Sequence, residues 1–402
     1  MTSTVYVAKN VYGGDGLGRL GDGRVVFVPG AWAGESVKAE IVEERSHFVK
    51  ARLVEVVEAS PDRVPGGVLA DVPGCVYAGL SPAGESRAKE DQLRDFLARA
   101  RIVFPCVSAA GPAVTTNYRN KVVYHFERRN GNWAIGYRTT SGNAVVDMPE
   151  DPLAAPAINA ALPEIRRSVM ALLTQGADAV RRDTERRGGV TIRWTQRSGV
   201  KWWVGDPPAG LVLQETTCGR TFDVPAGGFY QVNPAVGETL VKTVVDDYLR
   251  GSEGTPDIVD LYCGVGVFGL CCAGARGRAD TRLTGIESGR QAVAFAKQNA
   301  VAQRLEARFF ADTVGHSLRR LRLGTRSAVI VDPPRGGLEP GVARGLAASH
   351  AERIFYVSCD PATLTRDLRI LVHSYDVESV RWFNMFPRTA RFESLVVLRR
   401  KK

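Results

Sequence analysis

The sequence predicts an α/β protein whose C-terminal half forms a doubly wound, mostly parallel sheet, preceded by an OB-type β-barrel and a mainly β central domain. Three observations support this. Short extended runs punctuated by glycine come first, strand-like runs with one charged helix follow, and strands then alternate with helices to the end of the chain. These changes of pattern predict three domains, over residues 1–58, 70–225 and 226–402.

The first segment has about five short extended runs between residues 4 and 58, separated by repeated glycines, as a small closed barrel requires. Barrels of this type often bind single-stranded nucleic acid through basic and aromatic side chains. The alternative is a barrel whose charges are only solvated. The candidate RNA-binding side chains here are Arg19, Lys38, His47, Phe48 and Lys50.

The central segment combines one charged helix, "SRAKEDQLRDFLARA", with the strand-like runs "NKVVYHF", "NWAIGYR", "VTIRWTQ" and "VKWWVG". A mainly β domain is expected, but periodicity does not determine its topology. Trp202 and Trp203 are expected to be core residues rather than platforms on which bases stack.

In the last segment, Asn233 and Pro234 have the residue types preferred at a helix N-cap and at the first helical position. Five strand–helix units and two closing strands follow. In such sheets ligands bind beyond the carboxyl ends of the strands. The chemically useful side chains at predicted strand ends are Asp260, Glu287, Asp312, Asp332 and Cys359.

Composition narrows the class of partner and the compartment. Lys and Arg number 53 against 43 Asp and Glu, so the formal charge of +10 favours a polyanionic partner such as nucleic acid. The start of the chain lacks the features of a signal peptide, and no stretch approaches the ~18 apolar residues of a membrane helix. Seven scattered cysteines, none in a C-x-x-C pair, suit a reducing compartment. We therefore expect a cytoplasmic protein without membrane contact or a zinc ribbon.

"CGVGVFG", residues 263–269, matches G-x-G-x-x-G through Gly264, Gly266 and Gly269. Dinucleotide sites and S-adenosylmethionine (SAM) sites both use such a loop and a later carboxylate, here Glu287, so the motif alone leaves both open. A glycine turn without a ligand is the third possibility. Asp260, just before the loop, would repel a pyrophosphate and favours a cationic, methionine-bearing ligand.

Two later strand ends, "DPPR" (332–335) and "SCDP" (358–361), offer a carboxylate and a thiol. A hydride-transferring enzyme has no evident use for this pair. A pyrimidine methyltransferase does, because a thiolate that adds to carbon 6 makes carbon 5 nucleophilic, and a base must then remove the carbon 5 proton. An isolated cysteine is more often a small buried hydrophobe.

Five motifs in order, "FYQVNP", "DLYCGVGVFGL", "VDPPRGG", "VSCDPATLTRD" and "FPRTARFESLVVL", resemble the SAM-dependent RNA 5-methyluridine (uracil-C5) methyltransferase family of the TrmA/RlmD type. The resemblance spans nearly the whole chain, since many members carry an N-terminal TRAM barrel and a β-rich central domain. It implies a Rossmann-like class I SAM methyltransferase domain that modifies a specific uridine in ribosomal or transfer RNA. We expect a monomer.

The resemblance also assigns site residues. It implies that Cys359 is the nucleophile and Glu393 the base that removes the carbon 5 proton. The positions that it matches to the SAM site, including the backbone of the glycine loop and Asp312 near the adenine, are Gln231, Tyr262, Gly264, Gly266, Glu287, Asp312 and Asp332.

The chain departs from the family pattern in two places. Many TRAM-bearing relatives hold an iron–sulfur cluster on four cysteines. Here only Cys75 and Cys106 precede the C-terminal half, apart from Cys218 at its border. Four thiolates are needed for such a cluster, so no cluster and no metal are expected. Val267 occupies a position that often makes a polar contact with SAM, so that contact is not expected here.

Three alternatives stay open at this point. A cytosine-C5 RNA methyltransferase would share the thiol chemistry, although its motif around the nucleophile typically differs. A catalytically silent RNA-binding or chaperone protein would keep the charge and the barrel but would not need both Cys359 and Glu393. An NAD-dependent oxidoreductase would use the glycine loop but not the thiol.

Overall fold

A computed structural model describes residues 2–112, 114–129, 131–142, 144–175, 189–251 and 256–402. Residues 176–188, inside the predicted central domain, lie outside the described part. The described chain forms a closed barrel, a five-stranded sheet, a two-stranded hairpin and an eight-stranded sheet. None of its described helices has the length and apolar character needed to cross a membrane.

The N-terminal barrel is closed by the pairing of its first strand with its fourth, and the order around it is β1-β2-β3-β5-β4. Alternate residues point inward and form an aliphatic core of valines and alanines, as period-two strands require. Gly18 allows close strand contact, because a Cβ there would lie 2.5 Å from the carbonyl oxygen of Tyr6. The strands are β1 Thr2–Asn10, β2 Gly16–Arg19, β3 Val25–Val28, β4 Ser36–Glu44 and β5 Phe48–Glu58.

The central segment contains the predicted strands and helix. An antiparallel sheet of order β11-β10-β7-β8-β9 packs against a second helix, α2, and Trp203 is buried in an adjoining small core. The elements are α1 Pro82–Arg99, β6 Val107–Ala110, β7 Lys121–Arg129, β8 Asn132–Arg138, β9 Val145–Asp147, α2 Pro156–Gln175, β10 Val190–Thr195, β11 Gly199–Val204, β12 Val212–Thr217 and β13 Arg220–Pro225.

Two elements of the central segment, β6 and α1, pack with the C-terminal sheet. Strand β6 pairs in parallel with β19 at the edge of the C-terminal sheet, and Leu93 and Leu97 of α1 pack into the same core as that sheet. An edge strand has unpaired backbone groups, which β6 satisfies. The apolar side of α1 is likewise buried against the C-terminal domain. Part of the central segment therefore packs as part of the C-terminal domain.

The C-terminal sheet has the order β16-β15-β14-β17-β18-β20-β19-β6, with β14 to β18 parallel and β20 antiparallel to its neighbours. Apolar cores lie on both faces, which confirms the predicted doubly wound fold. The amide of Val236 donates to Asn233 Oδ1 at 3.3 Å, as expected of the N-cap. The elements are α3 Pro234–Gly251, β14 Asp257–Leu261, α4 Val267–Arg276, β15 Arg282–Glu287, α5 Arg290–Ala302, β16 Ala307–Ala311, α6 Val314–Leu318, β17 Ser327–Val331, α7 Val342–Ala348, β18 Arg353–Ser358, α8 Pro361–Leu371, β19 Tyr375–Phe383 and β20 Glu393–Arg400.

Candidate active site

One edge of the C-terminal sheet collects the predicted chemical residues. The carboxyl ends of the parallel strands lie at this edge, and because β20 is antiparallel its first residue lies there too. The sheet order therefore determines which side chains are neighbours. Across β16, β15, β14, β17, β18 and β20 the residues at this edge are Asp312, Glu287, Tyr262, Asp332, Cys359 and Glu393.

Cys359 and Glu393 are brought together by strand register. Ser358, the last residue of β18, pairs with Ser394, so Cys359, directly after the strand, follows in register with Glu393, the first residue of β20. Cys359 is half-buried and Glu393 is 5% exposed. The two residues are 34 positions apart in sequence, and only the antiparallel return of β20 makes them neighbours.

The environment favours the protonated form of both groups. Burial, and after it the charges of Glu393 and Asp332, raise the pKa of the Cys359 thiol to about 11, while Arg335 opposes the shift. Burial and then Asp332 raise the pKa of Glu393 well above its ordinary value. Glu393 therefore has to ionise before it can accept a proton.

The turn that carries the thiol is fixed by local hydrogen bonds. Asp360 caps helix α8, because its side chain accepts from the amides of Ala362 at 2.9 Å and Thr363 at 3.1 Å. Ser358 Oγ donates to the carbonyl oxygen of Asp360 at 3.0 Å. Pro361 is the first helical residue, a position that suits proline because the amide there has no partner within the helix. The chain on both sides of Cys359 is thus held in one conformation.

A first cleft lies beside the glycine loop. Four of the predicted cofactor residues line it, namely Gln231, Tyr262, Gly264 and Asp332. Val267 lines it as well, so an apolar side chain faces the cavity where a polar one was considered. The other lining residues are Glu215, Thr216, Thr217, Phe229, Tyr230, Pro234, Gly237, Glu238, Val241, Cys263, Val265 and Phe268.

The glycine loop needs its glycines for backbone reasons. Gly264 and Gly266 have φ of +54° and +89°, where residues with a Cβ are strained, and Tyr262 itself is held at +63°. A Cβ on Gly269 would lie 2.9 Å from Asp260 Oδ2, which instead accepts a hydrogen bond from the Gly269 amide at 2.9 Å. Asp260 therefore ties the helix to the strand.

The position of Asp260 differs from the one that the sequence suggested. Its side chain is 1% exposed and does not line the first cleft, so it does not face a ligand there. Burial raises its pKa to about 7. Asp332 does line the cleft, together with Glu215 and Glu238, and burial also raises the pKa of Asp332 to about 7.

Glu287, Asp312 and Gly266 also lie outside the lining of the first cleft. Glu287 accepts from the amides of Gly264 at 3.2 Å and Gly289 at 2.7 Å. Asp312 lies 2.6 Å from His316 Nδ1 and accepts from Ser317 Oγ at 2.8 Å. Glu287 therefore borders the glycine loop, and Asp312 holds the start of helix α6, which follows β16.

Comparison with known proteins identifies the family. A model of the tRNA (uracil-5-)-methyltransferase family matches residues 216–401, and a model of the TRAM domain matches residues 2–54. The chain belongs to the RNA uracil-C5 methyltransferase family. It is therefore an RNA methyltransferase of the SAM-dependent class, with a TRAM barrel at its N-terminus.

Relatives match this methyltransferase over their full length. A Thermotoga maritima protein named an RNA methyltransferase is 26% identical, with 99% of each chain covered. A Thiobacillus denitrificans protein named 23S rRNA (uracil(1939)-C(5))-methyltransferase RlmD is 29% identical, with 100% of each covered. The Pyrococcus abyssi tRNA (uracil-54, C5)-methyltransferase, solved with S-adenosyl-L-homocysteine, covers 98% of this chain and 100% of its own, with a TM-score of 0.73 and 21% identity. That likeness confirms the fold.

The methyltransferase has a second cleft that the sequence did not predict. It lies where the linker, the central sheet and the C-terminal domain meet. Four cations line it and no carboxylate does among the residues that the structure describes. Of the four cations, Arg335 and Arg391 lie in the quoted motifs "VDPPRGG" and "FPRTARFESLVVL", whereas Arg119 and Lys121 lie outside all five motifs. The lining residues are Gly74, Val76, Arg119, Lys121, Val232, Arg335, Phe386, Thr389, Ala390 and Arg391.

Two of the candidate RNA-binding cations of the TRAM barrel, unlike those of the second cleft, are paired with carboxylates of the barrel itself. Lys38 pairs with Glu55 at 2.7 Å, and Lys50 pairs with Glu43 at 3.1 Å. Residues 1–58 contain seven Lys and Arg against eight Asp and Glu, so the excess positive charge of the chain lies outside the barrel. The proposed RNA contacts of Arg19, Lys38, His47, Phe48 and Lys50 stay a prediction.

Proposed function

We propose that this methyltransferase transfers a methyl group from SAM to carbon 5 of a uridine in ribosomal or transfer RNA, through a covalent bond between Cys359 and carbon 6. The observation that carries the proposal is the position of Cys359, opposite Glu393 and beside the "DPPR" segment that joins two clefts. Asp332 lines the first cleft and Arg335 the second, and both act on the pKa of Cys359. A base held at Cys359 would face a ligand in the first cleft.

The chemistry follows from this arrangement. The Cys359 thiol loses its proton to solvent and its sulfur bonds to carbon 6, while the electrons of the 5,6 double bond move toward the carbon 4 oxygen. Carbon 5 then bonds to the methyl group, whose bond to the donor sulfur breaks. Glu393, as carboxylate, takes the carbon 5 proton, the double bond re-forms and the bond between carbon 6 and sulfur breaks. The thiolate is regenerated.

The first cleft fits SAM, which when bound supplies an electrophilic methyl group. Gly264 brings backbone to the cavity surface with no atom within 4 Å of where a Cβ would lie. Asp332 places a half-buried carboxyl group at the same wall, suited to a ligand with positive charge. Gln231 and Tyr262 also line the cleft. Glu287 borders it, and its Oε2, which accepts from the Gly264 amide, has a second lone pair available for a ligand hydroxyl.

The affinity for SAM should rise with pH below about 7. Burial raises the pKa of Asp332 to about 7, and a cationic ligand favours its carboxylate form, so binding releases a proton. The association constant should therefore increase by up to about tenfold per pH unit below that pKa and level off above it. Calorimetry between pH 5.5 and 8, in buffers of different ionisation enthalpy, measures both the affinity and the protons released.

The control for this titration is Asp332→Asn. This variant should bind SAM more weakly and lose the pH dependence. A flat profile in the wild type would contradict the prediction. A slope that persists in Asp332→Asn would assign the titration to Glu215, which also lines the first cleft, or to the buried Asp260, because burial raises the pKa of each to about 7.

The second cleft supports RNA as the substrate. Its four cations, Arg119, Lys121, Arg335 and Arg391, face a cavity that borders the catalytic thiol through Arg335. Burial and the nearby Arg193 lower the pKa of Lys121, and a bound anion would offset both effects by stabilising the charged form. Such a surface suits a phosphate backbone. A uridine within stacked RNA would have to be extruded to reach Cys359.

The target RNA is tested by mapping. The Thiobacillus denitrificans relative is named for 23S rRNA and the Pyrococcus abyssi neighbour for tRNA, so both RNAs are candidates. When the gene is deleted, one 5-methyluridine should disappear from one of them, and the purified protein with methyl-labelled SAM should restore it. Label in 5-methylcytidine, or in neither RNA class, would contradict the proposal. Cytoplasmic localisation and a monomeric state belong to the same proposal.

A further inference from the structure

The loop after the first barrel strand, residues 11–15, is anchored to the catalytic half of the protein. Gln92 of helix α1 donates to the carbonyl oxygen of Val11 at 3.1 Å and to the Tyr77 hydroxyl at 2.8 Å. Lys9 forms an ion pair with Asp95 of the same helix. The barrel is therefore attached to the catalytic domain by specific polar contacts, at the point where the chain enters this loop.

Tyr12, in this loop, lies against the segment that precedes the proposed base. Its ring meets Phe392 edge to face at 5.9 Å between centroids, and meets Phe96 of α1 in the same way at 5.8 Å. Phe392 is fully buried and contacts Trp382 at 6.2 Å on another side. The residue directly before Glu393 is thus packed between the barrel and strand β19.

The polar end of Tyr12 faces the same site. The Tyr12 hydroxyl is buried without a hydrogen-bond partner among the described residues, and Arg391, Cys359 and Asp360 are close enough to act on the phenol electrostatically. Burial, followed by Asp360, raises the pKa of Tyr12. The phenol is therefore un-ionised at neutral pH and adds no charge beside Cys359.

We propose that Tyr12 is a positioning residue of the active site, through which the barrel fixes Phe392 and hence the Glu393 carboxyl group opposite Cys359. The inference rests on the roles proposed above for Glu393 and Cys359. Strand pairing with Phe383 and the register at Ser394 hold Glu393 on its C-terminal side. On its N-terminal side the packing of Phe392 is the direct constraint, and Tyr12 supplies one wall of it.

The inference assigns the barrel a part in the chemical step. Reaction rates depend steeply on the position of the reacting groups, and a displacement of about 1 Å can cost about a hundredfold. Because Glu393 acts only in the elimination, loss of the Tyr12 ring should slow that step most. Binding of SAM in the first cleft, which Tyr12 does not line, should be unaffected.

The test compares Tyr12→Ala with Tyr12→Phe and with Tyr6→Ala, in the full-length protein. Tyr6 is 62% exposed on strand β1 of the same barrel and is the matched control for a lost tyrosine. In Tyr12→Ala, kcat should fall by about tenfold or more, with the KM for SAM within about twofold of wild type. Single-turnover reactions should show a transient methylated protein–RNA adduct. Tyr12→Phe should restore the rate to within about twofold, since the ring is retained.

Several results would overturn the inference. They are a Tyr12→Ala rate equal to that of Tyr6→Ala, a Tyr12→Phe rate as low as that of Tyr12→Ala, or a loss of SAM affinity in step with kcat. If Tyr12→Ala does not fold, Gln92→Leu releases the same loop while leaving Tyr12 in place. This variant should also slow elimination. An unchanged rate of elimination would contradict the inference. Full activity of Cys359→Ala would instead refute the proposed function itself.

Discussion

Replacement of Cys359 by alanine should abolish turnover while leaving the binding of SAM nearly intact. The thiol forms the bond to the base, and it does not line the cleft proposed for SAM. Loss of an enzyme nucleophile costs many orders of magnitude, so the rate should fall by ~10⁴-fold or more. Methyl transfer to RNA is measured with labelled SAM, and SAM affinity by calorimetry on the same preparation.

The matched control is Cys106→Ala, which removes an exposed thiol outside both clefts and should leave the rate unchanged. A Cys359→Ala enzyme that still methylates RNA at a rate near that of the wild type would refute the assignment of the nucleophile. A variant that loses SAM affinity together with turnover would show that the thiol supports the cofactor cleft instead.

Replacement of Glu393 by glutamine should trap the reaction after methyl transfer. Glu393 is buried, and its raised pKa keeps it protonated in the free protein, so the neutral amide of glutamine is close to it in shape and charge. Addition of Cys359 and transfer of the methyl do not need this carboxylate. Only removal of the carbon 5 proton does, and loss of a general base typically costs 10²–10⁴ in rate.

A covalent protein–RNA adduct that carries the methyl group should therefore accumulate and survive on a denaturing gel. The adduct should disappear in the double variant with Cys359→Ala. Glu378→Gln is the control, because Glu378 forms an ion pair with Arg353 on strand β18, at the opposite end of that strand from Cys359. Normal release of methylated RNA by Glu393→Gln would refute the base, and Asp332 would be the next candidate.

The fold could be predicted well because its signals are local. The alternation of strands and helices after Asn233, the glycine punctuation of the barrel and the helix start at Pro361 each depend on residues a few positions apart. The strand ends that carry the chemistry follow from the alternation alone. Their order across the sheet edge does not, because it depends on which strands pair.

The sequence was less informative wherever a side chain has two possible environments. Asp260 and Glu287 sit at the predicted strand ends, but their oxygens bond to backbone amides of the glycine loop, a choice that no spacing reveals. Arg391 and Tyr12 meet near the thiol only because the barrel packs on helix α1. Glu393 is buried rather than solvated because β20 returns antiparallel between β18 and β19.

Strand β6 has a consequence for the order in which the protein assembles. It is made early in synthesis, yet its partner β19 is nearly the last strand made, with the whole central sheet between them in the chain. Pairs so distant in sequence close slowly, because the intervening chain loses entropy before the contact forms. The catalytic sheet can therefore be completed only when translation is almost finished. Until then β6 presents an unpaired edge, and a ribosome that stalls before β19 leaves a product open to aggregation.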